Sequence, residues 1–300
     1  MKKMGSIFKG SLLFLLVVLF SPANIKAEQV GPLVADSADT LEAQKFSFQV
    51  IPSLFIKQGG FDQAGKIKYS PGGDRKYQLL TVAKPYYGLF ENFEVSAQIP
   101  FLSNWVTRDG WSNKDGGIGD ILIGGKYRFV ENDQQGLRPS IAGIAKIKFP
   151  TGKYERMAEG KLGSDQAGNG SYEYTLGLNI SKLWGTWSLH GNLWYNWVAE
   201  TTIDGLKTKP GDIIYYDLAV EYSLTKKLTA LIELNGWEQG RTGQNNRILE
   251  KSETRSLSLL PALEWEWSEK VFFIFGCSIP LLGKNTDYGF TPSFMLNYNF

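Results

Sequence analysis

Cysteine occurs once in these 300 residues, as Cys277, and histidine once, as His190. A single thiol cannot close an intramolecular disulfide, and one cysteine and one imidazole cannot build a Cys/His metal site. Cys277 therefore reads as a small apolar filler on a strand. An excess of charge of either sign is also lacking. Four of the 32 basic residues (Lys2, Lys3, Lys9, Lys26) fall within Met1–Ala27, leaving 28 against 30 acidic ones, a balance that excludes a generally basic nucleic-acid binder. The apolar run Ser11 to Phe20 is shorter than the ~20 residues a membrane-spanning helix needs. With two lysines before it and Ala27 after it, residues 1–27 read as a secretory signal peptide rather than an anchor.

Chemical motifs are equally sparse. The glycine-rich run before Asp120 has neither dinucleotide spacing nor a following Gly-Lys-Ser/Thr, and a repeat-type calcium site would need its acid where Ile121 stands. No catalytic, metal or cofactor site is expected. His190, in His190-Gly191-Asn192, alternates with Leu189 and Leu193, so it is expected to point inward as a hydrogen-bonded polar group.

What the chain does have is aromatic residues (14%), 33 glycines and a mean hydropathy of −0.20. That combination does not suit a helical membrane protein, but it suits a wall whose residues alternate polar and apolar. The last stretch shows the alternation plainly: Phe294, Leu296, Tyr298 and Phe300 share one parity, Ser293, Asn297 and Asn299 the other. Such a strand cannot lie alone in lipid, because its unpaired amides would each cost several kcal/mol, so it must close a barrel. Earlier segments repeat the pattern, among them Phe93 to Phe101, Ile121 to Phe129, Trp187 to Trp197 and Leu257 to Trp267. About twelve strands are predicted, an even number as single-chain bacterial barrels have.

The connections alternate in length. Tight turns are expected at Glu91-Asn92, Leu183 to Thr186, Thr225 to Lys227 and Ser268 to Lys270, with a looser one at Glu131 to Gly136. Longer loops are expected at Gln58 to Asp74, Val106 to Gly117, Thr151 to Gly170, Glu200 to Gly211, Gln239 to Ser252 and Leu281 to Tyr288. Short turns on the periplasmic side and long loops outside describe an all-β, transmembrane, antiparallel up-and-down β-barrel spanning residues 28–300 in the bacterial outer membrane. Residues 28–43, acidic and without alternation, read as a disordered lead-in, with a short plug as the alternative.

Parity also turns charges inward. Lys84, Lys126, Arg128, Lys146 and Lys148 form an expected basic wall, and Asp217, Glu221, Glu233, Glu264 and Glu266 an acidic one across the ring. They read either as a polar pore with opposed walls or as ion pairs filling the lumen, for instance Glu94 with Arg128 and Lys148 with Glu173.

The terminal strand ending at Phe300 resembles the C-terminal strand of outer-membrane barrels. By that resemblance Phe294, Leu296, Tyr298 and Phe300 are an assembly signal, read by the barrel-assembly machinery. The runs Gly117-Ile118-Gly119-Asp120, Ile121-Leu122-Ile123-Gly124-Gly125-Lys126-Tyr127, Tyr87-Gly88-Leu89-Phe90 and Phe149-Pro150-Thr151-Gly152 resemble the family of outer-membrane transporters associated with the meta-pathway of phenol degradation. The resemblance implies a small channel in outer-membrane lipid for passive uptake of small solutes, hydrophobic or aromatic ones included. A lipid-modifying enzyme and a structural or adhesive barrel with a closed lumen are the alternatives. The solute and the oligomeric state are not readable.

Overall fold

The computed structural model describes residues 31–133 and 136–300, so the expected signal peptide lies outside the described residues. Twelve long antiparallel strands form the wall: β1 (Phe46–Phe61), β2 (Arg75–Phe90), β3 (Phe93–Arg108), β4 (Ile121–Val130), β5 (Ser140–Phe149) and β6 (Glu173–Trp184), followed by β7 (Trp187–Val198), β8 (Ile213–Ser223), β9 (Leu228–Gln239), β10 (Thr254–Ser268), β11 (Val271–Lys284) and β12 (Thr286–Asn299). Each pairs with its neighbours in sequence, and β12 pairs with β1 through Ser47↔Asn299, Phe48↔Tyr298 and Val50↔Leu296. The sheet is closed, so no edge is left to aggregate or to sit unsatisfied in lipid.

The wall is inverted relative to a soluble protein. Leu193, Leu218 and Ile232 are 59%, 61% and 55% exposed on the outer face, while Glu221, Glu233 and Asn179 are fully buried on the inner one. Only a lipid solvent makes that arrangement favourable. Aromatic rings gather at the short-turn end, where Trp187 lies 4.7 Å from Tyr222 at a tilt of 48° and Trp265 lies 5.2 Å from Trp267. Phe46 and Phe300, 5.0 Å apart, cover the seam between first and last strands. Phe294, Leu296, Tyr298 and Phe300 stand on the lipid face of the chain end, on the parity opposite to buried Met295 and Asn297.

The tight turns lie where expected, but five of the six long connections carry more structure than loops, the first through a short strand, Ile67–Tyr69, that pairs back on β1. Strand β3 runs to Arg108 and turns at Asp109-Gly110, and a short strand, Trp111–Ile118, returns along it. Strands β11 and β12 likewise continue through Leu281–Tyr288, joined by a turn at Asn285 in the left-handed region. The two connections 199–212 and 240–253 contribute Thr201–Ile203, Leu206–Lys209, Gly243–Gln244 and Arg247–Ile248 to one four-stranded sheet above the barrel. Beyond the lipid a strand has no face to keep apolar, so its ladder continues after its alternation has ended.

The glycine-rich run before β4 has a structural use. Thr151 Oγ1 donates to Gly119 O (2.7 Å) and accepts from Ile121 N–H (2.9 Å). Asp120 accepts from the backbone N–H groups of Gly152 and Asn169, both at 3.0 Å. These bonds fold loop 150–172 over the place where the returning strand Trp111–Ile118 meets β4.

Candidate functional site

The lumen is occupied by the protein's own N-terminal segment. The expectation of a disordered lead-in is overturned: residues 31–45 enter at the short-turn end and climb inside the barrel. Entry is fixed by Gln44 N–H donating to Gly88 O (2.7 Å) and Gly88 N–H donating to Lys45 O (3.0 Å). Gly88 is required here, because a Cβ on it would meet Glu42 O at 2.0 Å.

Farther in, each turn of the segment finds a partner on the wall. Leu41 N–H donates to Glu94 (2.9 Å), Asp39 faces Arg128 (3.5 Å) and Ser140 (2.7 Å), and Ala38 N–H donates to Ser181 Oγ (2.8 Å). Asp36 exchanges two backbone bonds with Asn192 (2.8 and 2.7 Å) and sets its carboxylate 3.1 Å from Lys126 and 4.0 Å from Lys146. At the top, Glu233 receives the N–H groups of Leu33 (2.7 Å), Val34 (3.1 Å) and Ala35 (2.9 Å). A carboxylate collecting three amides satisfies backbone that would otherwise be orphaned inside the wall. Leu33 meanwhile packs into an apolar cluster with Ile51, Leu231, Leu260, Ile274 and Met295. The segment is acidic where it meets the basic wall and presents bare amides where it meets Glu233, which is why polar residues 31–45 order themselves.

Parity placed all ten charged side chains on inward positions, where the structure puts them, most with a named partner. Lys126 bridges Asp36 and Glu94, both at 3.1 Å, so Glu94 pairs with Lys126 and the expected Glu94–Arg128 pair is absent. The register explains this: Glu94 lies directly opposite Lys126, whereas Arg128 is bonded by Asn92 O beyond the end of β3 and reaches Asp39 and Glu131. Lys148 pairs with Glu173 (2.5 Å) and lies 3.8 Å from Asp120. Lys146 lays its ammonium 4.0 Å from the centre of the Trp194 ring, whose indole N–H donates to Asn179 (2.7 Å). A Cβ on Gly177 would fall 2.2 Å from that indole, so the glycine makes room for the stack. Lys84 makes neither hydrogen bond nor ion pair among the described residues; the carboxylates whose field reaches it are Asp36 and Glu233.

On the acidic side Asp217 accepts from Asn235 (3.1 Å), Glu264 is buried beside Thr229, and Glu266 faces inward at the short-turn end. Glu221 is fully buried, with His190 Nε2 3.5 Å from its Oε2, and His190 Nδ1 lies 2.8 Å from Ser181 Oγ. Ser181, His190 and Glu221 thus stand in a row, a relay in which Ser181 bonds His190 Nδ1 while Nε2 only approaches Glu221, whose carboxylate oxygens have no hydrogen-bond partner among the described residues. The serine hydroxyl is fully buried and accepts from Ala38 N–H, so this row of side chains fastens the plug. Sequence reading missed Asp36, Asp39, Ser181 and Trp194; the three-residue spacing of the two aspartates and the inward glycine opposite Trp194 were the signals available. A cavity of about 480 Å³ remains between the plug and the inner faces of β1–β5, reaching Leu183 on β6, His190 and Trp194 on β7 and Asn297 and Asn299 on β12.

Residues 69–298 match the model of the family described as "Putative MetA-pathway of phenol degradation". The chain belongs to that family. No curated protein matches. Among solved structures, the family member is similar to the COG4313 outer membrane channel from Pseudomonas putida F1, with a TM-score of 0.75 at 13% identity over 91% of this chain and 100% of that one. It also matches the translocator domain of the autotransporter NalP from Neisseria meningitidis (TM-score 0.48, 11% identity, 98% and 96% covered). A third match is the CymD monoaromatic hydrocarbon channel (0.46, 8%, 87% and 89%). At these identities the likeness is one of fold, and it rests on the first.

Proposed function

We propose that this protein is a channel of the bacterial outer membrane for passive uptake of small solutes, hydrophobic and aromatic compounds among them. The observation that carries the reading is a lumen with one apolar wall (Ile51, Leu231, Leu260, Ile274, Met295) and one polar wall, closed by a plug. No covalent bond holds that plug among the described residues. Membership of a phenol-degradation family and the fold of an outer membrane channel support it. With the plug in place, twelve strands leave a pocket of about 480 Å³ beside it but no open passage through the barrel. Transport therefore requires the segment 31–43 to swing aside, after which the apolar wall guides the solute and the polar wall keeps water in register. The alternative of a structural barrel with a closed lumen is favoured by the completeness of the plug, and one experiment separates the two. Intact cells carrying the protein should take up labelled phenol several-fold faster than cells without it, and deletion of residues 31–43 should raise single-channel conductance. Equal uptake by cells with folded barrel in the membrane contradicts the channel reading.

A further inference from the structure

We infer that the cavity beside the plug is a binding site for a carboxylate carried on a compact apolar body. This rests on the channel reading and names the class of solute that the lumen takes.

The charge arithmetic of the cavity is uneven. Lys84, Lys126 and Lys146 reach it from β2, β4 and β5, while the carboxylates facing them from the plug and β3 are Asp36 and Glu94. Asp39 also borders the cavity, but Arg128 balances it. Glu94 is committed to Lys126, and Asp36 is divided between Lys126 and Lys146. From the far wall Glu233 turns its oxygens to the plug amides, and Asp217 accepts from Asn235. One ammonium group therefore has no carboxylate of its own, and it is Lys84. A buried cation left in this state is costly unless an anion joins it.

The surroundings of Lys84 give the rest of the ligand its chemistry. On the inner face of β1 and β2, Gln49 and Tyr86 are bonded to each other (3.3 Å), and Gln98 stands alongside on β3, so neutral donors flank the ammonium. Ile51 and Val82 line the same cavity with Leu33 of the plug, giving an apolar floor beside the charge. A carboxylate can sit between Lys84 and Lys146 while its apolar body lies along that floor. Asp36 already presents a carboxylate to this cluster, so the plug acts as an internal stand-in for the solute. An arriving carboxylate that engages Lys146 loosens the hold on Asp36, and Lys146 has the Trp194 ring beneath it in either state. Entry of the ligand and release of the plug are then linked through the same ammonium groups.

Three probes of one shape and different charge test this: benzoate, benzyl alcohol and benzylamine, titrated calorimetrically into the full-length protein in nanodiscs. Charge-assisted contacts predict roughly ten-fold tighter binding of benzoate than of benzyl alcohol, with benzylamine weakest. Lys84→Gln should reduce the benzoate preference to within about three-fold and leave benzyl alcohol unchanged, while Asp36→Asn, which removes the competing carboxylate, should tighten benzoate. Both variants must show the parent's heat-modifiable migration, which reports a folded barrel. Equal binding of benzoate and benzyl alcohol, an unchanged preference in Lys84→Gln, or no benzoate heat from a folded barrel overturns the site. Specific benzoate binding in a protein that gives cells no faster phenol uptake would contradict the channel reading and keep the site; the reverse result would keep the channel and lose the site.

Discussion

His190 shows how one residue can be legible in position and not in partners. Alternation with Leu189 and Leu193 predicts that it points inward, and it does, but nothing near it in the sequence announces Ser181 and Glu221, which arrive from the strands on either side. The pair with Glu221 is fully buried, so the two ways of removing the ring should differ. His190→Gln keeps a hydrogen-bonding group between Ser181 and Glu221 and should leave transport within a few-fold of the parent. His190→Leu strands the carboxylate and should cost about 1–3 kcal/mol or more, read as a lower urea midpoint for unfolding from micelles. Equal midpoints for the two variants would mean that the relay carries no load. Outside the lipid, Glu253 is held down to about 2 by the hydrogen bond from Lys284, with Arg241 adding to it. A carboxyl depressed from 4.5 stabilises fully above that value and loses its contribution as pH falls toward 2. Amide exchange in residues 240–252 should therefore quicken over that window in the parent and show no such step in Glu253→Gln.

At the scale of elements, the strands were legible because lipid on one side and a polar lumen on the other impose period two on every residue between them. Their extensions past Phe101, Leu281 and Tyr288 were not, since beyond the lipid neither face is constrained and only the hydrogen-bond ladder remains. The plug was illegible for a different reason: it has no period at all, and its order comes from groups 50 to 200 residues away. Glu233 is the clearest of these, and its contribution can be measured directly. Glu233→Gln replaces one accepting oxygen by an amide that confronts the N–H groups of Leu33, Val34 and Ala35. Exchange at those three amides should rise at least ten-fold while the barrel amides stay protected. Unchanged protection at Leu33–Ala35 would place the hold on the plug elsewhere.

At the scale of the whole molecule, chain order brings Lys84, Lys126 and Lys146 to one arc and Asp217, Glu233 and Glu264 to the arc roughly opposite, with the plug between them answering both. The barrel's two ends meet at the short-turn side, where Phe46 and Phe300 close the seam. An epitope placed within Thr151–Gly170 should accordingly be reached by antibody on intact cells; labelling there only after permeabilisation would invert the orientation. The central claim is that solute passes only when the plug leaves its wall, and one measurement tests it most directly. Ser37 and Ser181 face each other with their hydroxyl oxygens 3.4 Å apart, so a Ser37→Cys/Ser181→Cys pair in a Cys277→Ser background can tether plug to wall. Uptake of labelled phenol should fall to the level of cells lacking the protein when that pair is oxidised and return on reduction. Equal uptake in the oxidised and reduced states, with the crosslink verified, would contradict the account.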